Sequence, residues 1–189
     1  MTVERVQRVI DKMTVERERF VAWVRGVPDE KWPHLSPNGN WQARDYVSHL
    51  ASIDPLLTGL ARAFQQSGGI DDGRGSGRRF DIDEWNEGKI LARRAKSTQE
   101  LIDEMAKNRA ELNAAFVDFT DEQLDASFHF AGDSKRSPRD LKVAEFLNGL
   151  TMHDRWHMED ARRALEGEAE QPFGDASFQS MLQGRTQAS

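Results

Sequence analysis

Apolar residues recur along most of this chain at helical spacing. Val3, Val6, Ile10, Met13, Phe20 and Val24 fall three, four or seven apart with charges between them, which predicts a helix over 3–25. Gly26 and Pro28 end it, and the Pro-, Asn- and Gly-bearing stretch 27–40 reads as a loop with a short turn at Asp29–Trp32. Asn40 is placed to cap a second helix from Trp41, whose inward line is Tyr46, Leu50, Ile53, Leu57, Leu60 and Phe64. Pro55 inside it predicts a kink.

Ser97 and Glu100 form a capping-box signature. It separates a short helix of about 82–94 from a long one over 98–118, with the stripe Leu101, Met105, Asn108, Leu112, Ala115 and Phe119. Thr120 starts a further single turn, and 125–137 reads as irregular. Ser137, Pro138 and Asp140 then open the last long helix, which Gly167 ends. The segment 65–79 is Gly-rich and charged, and within it 67–77 is a candidate lid or a tolerated insertion. Four long helical segments without an alternating strand predict an all-α four-helix bundle over 1–167. A tail over 168–189 packs on it through Phe173, Phe178, Met181 and Leu182, or trails from it.

Composition narrows the function classes. Charged residues make up 31% of the 189 residues, as expected of amphipathic helices with solvated outer faces. The formal net charge is -6 and no basic stripe accumulates, which argues against nucleic acid and against an anionic membrane surface as partners. No apolar run approaches a membrane span and the N-terminus has no apolar core of a signal peptide, so a cytoplasmic protein is expected. There is no cysteine. Disulfides, thiolate metal sites and a cysteine nucleophile are thereby excluded, and any metal site must use His, Asp and Glu.

Five histidines remain: His34, His49, His129, His153 and His157. His34 and His129 fall in predicted loops and read as incidental. His153 and His157 are four apart on the last helix, which puts both rings on one face. They lie on the line Phe146, Leu150, His153, His157, Ala161 and Ala164. Imidazoles on an apolar line need partners for their nitrogens, and a metal ion satisfies both. His49, beside Leu50, can face the pair from the second helix. Three protein ligands with open positions suit catalytic zinc, and imidazole suits nickel, iron or copper as well. Asp45 and Asp154 are candidates to hold the outer ring nitrogens.

Three stretches carry a resemblance to a known family: Trp41–Leu50 with His49, Phe80–Glu87 with Trp85 and Asn86, and His153–Arg162 with the His-x-x-x-His spacing. Together, over roughly 1–167, they resemble the DinB-like superfamily, which includes mycothiol-dependent maleylpyruvate isomerases. The resemblance implies a four-helix bundle, a divalent metal on His49, His153 and His157, and a homodimer. It implies a low-molecular-weight-thiol-dependent S-transferase or isomerase acting on small electrophiles, with mycothiol or bacillithiol as cosubstrate. It also admits protection against reactive natural products. The isomerase branch has glutamate where this chain has His153, and no stretch of these residues corresponds to its extra C-terminal domain; both departures argue against that particular reaction. Two other readings stay open, a metal-dependent hydrolase and a bundle that binds or sequesters a small molecule without catalysis. Trp85, Asn86, Trp156 and Arg155 are the candidate pocket residues, with Arg44 as a second cationic candidate.

Overall fold

A computed structural model describes residues 2–67 and 81–184. The glycine-rich stretch 67–77, read as a candidate lid or a tolerated insertion, lies from residue 68 onward outside the described residues, as does the end of the tail. The elements are α1 (Glu4–Arg25), a single 3-10 turn (Asp29–Lys31), α2 (Ala43–Ser67), α3 (Ile82–Leu91), α4 (Thr98–Phe116), α5 (Asp121–Asp125), β1 (Ser127–Phe130), β2 (Arg139–Lys142), α6 (Val143–Glu166) and α7 (Asp175–Leu182). The architecture is an all-α bundle of α1, α2, α4 and α6. Helix α2 packs along α4 and α6, and α1 along α6. Among the described residues, no helix is long and apolar enough to cross a membrane.

The boundaries follow local chemistry. Ser97 and Glu100 close a reciprocal capping box on α4, and Thr120 and Gln123 do the same on α5. Gly167 ends α6 in the left-handed region at φ 71°, where a side chain would be strained. Three expectations are corrected. Asn40 does not cap α2; the helix starts at Ala43, and the Gln42 N–H donates to the Asp45 carboxylate at 2.9 Å. Residues 125–137 are not all irregular, and Ser137–Pro138 do not open α6. Instead β1 and β2 form an antiparallel hairpin that pairs Phe128 with Leu141 and Phe130 with Arg139, and α6 begins at Val143. Phe128 and Leu141 are buried under it, a gain that outweighs the start signal at Ser137–Pro138.

One buried cluster ties the four long helices together. Arg17 on α1, Asp54 on α2, Arg109 on α4 and Asp154 on α6 are each no more than 7% exposed. Arg109 grips both carboxylates, Nε to Asp54 at 2.9 Å and Nη2 to Asp154 at 3.2 Å. Arg17 does likewise, Nε to Asp154 at 2.7 Å and Nη1 to Asp54 at 3.3 Å. Burial by itself would raise the Asp154 carboxyl, but the two guanidiniums hold it well below the usual carboxylate range. Two positive and two negative charges balance inside the core, and losing one leaves a buried charge uncompensated. Arg109→Met is expected to lower unfolding stability in denaturant titrations by about 3–5 kcal/mol. Arg162→Ala, which removes exposed pairs to Glu159 and Glu166, is expected to cost less than about 1 kcal/mol. Equal small losses in both variants would contradict this account of the core.

Candidate metal centre

The three histidines meet at one end of the bundle, where α2 faces α6. His49 lies five residues before Asp54 on α2, and His153 directly precedes Asp154 on α6, so the ion cluster that registers these helices also registers the rings. One ligand atom from each of His49, His153 and His157 lies within 4.8 Å of the other two. Nε2 of His49 and Nε2 of His153 are 3.4 Å apart. Ring centroids are 4.5 Å apart for His49–His157 and for His153–His157.

The line through Phe146, Leu150, His153 and His157 is only half buried. It faces a cavity of about 560 Å³ instead of the sealed core. The side of α6 that enters the core runs through Val143, Leu147, Thr151, Asp154, Ala161 and Ala164. Trp41 leans over the rings, with centroids 5.2 Å from His49 and 6.2 Å from His157.

Burial holds His49 and His157 well below the usual imidazole range, and the neighbouring rings push the same way. Both are therefore neutral near pH 7, the form in which imidazole binds a metal. His49 Nδ1 and His157 Nδ1 are buried without a hydrogen-bond partner among the described residues. Three converging imidazoles, two of them with a buried unpartnered nitrogen, are a donor set that fits a divalent cation.

Asp45 and Asp154 turn out to serve other groups first. Asp45 accepts from the Gln42 amide, and Asp154 lies 3.8 Å from His153 Nδ1 while bound to both arginines. Asn86 and Trp156 line the cavity. Trp85 packs against the core with Lys89 over its ring, and does not line it. Arg155 pairs with Glu16 and Arg44 donates to the Lys96 carbonyl, so neither reaches the cavity wall. His34 bonds the Lys31 carbonyl, and His129, on β1 rather than in a loop, pairs with Asp140; neither joins the cluster.

The sequence profile of the DinB superfamily matches residues 12–161. The chain belongs to the DinB superfamily. No curated protein and no solved structure matches it. All three histidines fall inside the DinB match. The segment beyond it, whose Phe173, Phe178 and Met181 were candidates to pack on the bundle, contributes a cavity wall, a role that sequence reasoning did not assign to it. Glu170 accepts from the Tyr46 hydroxyl, and its backbone N–H donates to Asn38 Oδ1 at 2.7 Å. Asp160 accepts from the Gln171 N–H at 3.0 Å. Phe173 packs on Trp156, and Phe178 and Met181 close the far side. Burial pushes the Asp160 carboxyl up to about 6 despite the Gln171 hydrogen bonds.

The depressed histidines set a pH dependence. In the metal-free protein, unfolded imidazoles take up protons below about pH 6.5 that the folded rings refuse. Stability should therefore fall as pH falls through that window, by at most about 1.4 kcal/mol per pH unit for each ring. Asp160 acts oppositely: its raised carboxyl takes up a proton in the folded state as pH drops below about 6, which offsets part of the loss. Denaturant titrations of the chelator-treated protein between pH 7.5 and 5.5 are expected to show the decline, with a smaller slope in His157→Gln. An unchanged slope in that variant would contradict the assignment.

Proposed function

We propose that this DinB-superfamily protein is a metal-dependent enzyme that uses a low-molecular-weight thiol to transfer sulfur to, or isomerise, a small electrophile. The observation that carries the reading is the convergence of His49, His153 and His157 on the wall of a partly open cavity. The imidazole set suits zinc or nickel. When bound, such a cation supplies Lewis acidity that lowers the pKa of a thiol brought to it. The chain has no cysteine, so the thiol comes from a cosubstrate such as mycothiol or bacillithiol.

The residues themselves do the rest. His49 and His157 present neutral lone pairs because burial keeps protons off them. Trp41 shields two of the rings from one side. Aliphatic and aromatic side chains on the cavity wall, among them Leu57, Phe146 and Leu150, exclude water from an apolar reactant.

Hydrolysis of a small molecule is a second reading, favoured by one observation. Asp160 lines the cavity three residues after His157, and its carboxyl, near 6, can hold or release a proton close to neutral pH.

Two measurements test the proposal together. Purified protein is expected to carry about one divalent ion per chain, as a three-histidine centre would; His153→Ala is expected to lose most of it while keeping its helical spectrum. The loaded protein is then screened with mycothiol, bacillithiol and simple thiols against a halide electrophile. Turnover that needs both metal and thiol supports the transferase reading. Metal-dependent ester cleavage without thiol supports the hydrolase instead, and equal metal content in wild type and variant would sink both.

A further inference from the structure

One ion pair bridges two walls of the cavity. Lys135, on the turn between β1 and β2, places Nζ 2.8 Å from Oδ1 of Asp83 in the first turn of α3. Both side chains line the cavity, and both remain wet, at 39% and 55% exposure. A pair this exposed contributes at most about 1 kcal/mol, so a competing charge can take its place.

The two partners lose unequally when it opens. Asp83 keeps water and the N-terminal end of α3, which favours a carboxylate. Lys135 has no other ion pair among the described residues, because the neighbouring Asp133 is held by Arg136. The Lys135 charge also reaches His157, where it disfavours protonation. The other charges of the cavity differ in one respect or the other. Asp45, Asp160 and Glu170 accept from the Gln42 amide, the Gln171 amide and the Tyr46 hydroxyl. Glu87 and Arg94 line the cavity without a side-chain partner among the described residues, and both are exposed enough for water to solvate them. Lys135 combines a flexible stem, an exchangeable partner and electrostatic reach to the histidines.

We infer that Lys135 is a specificity-determining residue whose ammonium leaves Asp83 to bind a carboxylate on the ligand. The ligand class is a small thiol that bears a carboxylate, with its sulfur at the histidines and its carboxylate at the turn between β1 and β2. This rests on the proposed function, in which the three histidines hold a cation that receives a thiol. Apolar side chains such as Leu57, Phe146 and Leu150 accommodate the ligand's body.

Mercaptopropionate and mercaptohexanoate, each beside its uncharged amide and the matching aminothiol, test this by calorimetry on zinc-loaded protein at low ionic strength. At least one carboxylate is expected to bind wild type about fivefold more tightly than its amide, the upper size of a partly exposed ion pair, and salt is expected to shrink the difference. Lys135→Gln is expected to remove the preference with zinc content and amide affinity unchanged, and Lys135→Arg to keep it. Asp83→Asn frees the ammonium and is expected to enlarge the preference. A bridge that is merely structural gives the opposite pattern, with Asp83→Asn and Lys135→Gln weakening every thiol alike, and that pattern overturns the inference. So does a preference that survives in Lys135→Gln, tighter binding of the aminothiols, or amides that bind as well as both carboxylates. Zinc content is measured before any thiol is added, so a wild type without zinc, or a zinc-loaded one that binds none of the thiols, identifies the failure of the metal or thiol reading and overturns the inference with it.

Discussion

Four buried charges decide how the helices of this protein can sit. Arg17, Asp54, Arg109 and Asp154 come one from each long helix, and each arginine touches both aspartates. Apolar contacts are non-directional and tolerate a helix sliding or rotating slightly. A guanidinium between two carboxylates does not, because displacement leaves charges unpaired where water cannot reach them. The cluster thus works as a register. Its members adjoin the histidines in sequence, Asp154 directly after His153 and Asp54 five residues after His49. What fixes the charges therefore also fixes the rings.

The cavity follows from asymmetry in α6. One side of that helix is sealed against the bundle through Leu147, Thr151 and Ala161. The adjacent side, with Phe146, Leu150, His153 and His157, is left half open. The segment after Gly167 partly covers that side. It is fastened to the loop before α2 through Glu170 and Asn38, and to the hairpin through Asp175, which bonds Ser137 and Arg139. Leu182 lies so close to α6 that a side chain on Gly149 would press on it at 3.2 Å. The histidines come from the part of the chain shared with the DinB superfamily, whereas Glu170, Gln171, Phe173, Phe178 and Met181 lie beyond the match.

Much of this was legible in the sequence, and the reasons for what was not are physical. Helices α1, α2, α4 and α6 announce themselves by period, and Ser97 and Gly167 mark ends by local chemistry. The hairpin was hidden because each strand has four residues, too few to display an alternation, and because a convincing helix-start signal, Ser137–Pro138, sits at the end of its turn. The histidine pair was legible from spacing, but its surroundings were read as core because an apolar line looks the same beside a cavity. The ion cluster left a trace that was passed over. Met13, Arg17, Phe20 and Val24 are spaced four, three and four, as are Met105, Arg109, Leu112 and Phe116. Each arginine occupies a core position, though a lone charge in a charged helix reads as solvated. Asn86 was legible by resemblance, whereas its place beside His49 on the cavity wall was not.

The central claim is that three imidazoles from two helices share one cation. X-ray absorption on the zinc-loaded protein measures this without reference to any substrate. Three imidazole nitrogens at about 2.0–2.1 Å, falling to two in His49→Ala, are the result this structure predicts. A metal shell built mainly of carboxylate and water oxygens, unchanged in His49→Ala, would contradict it.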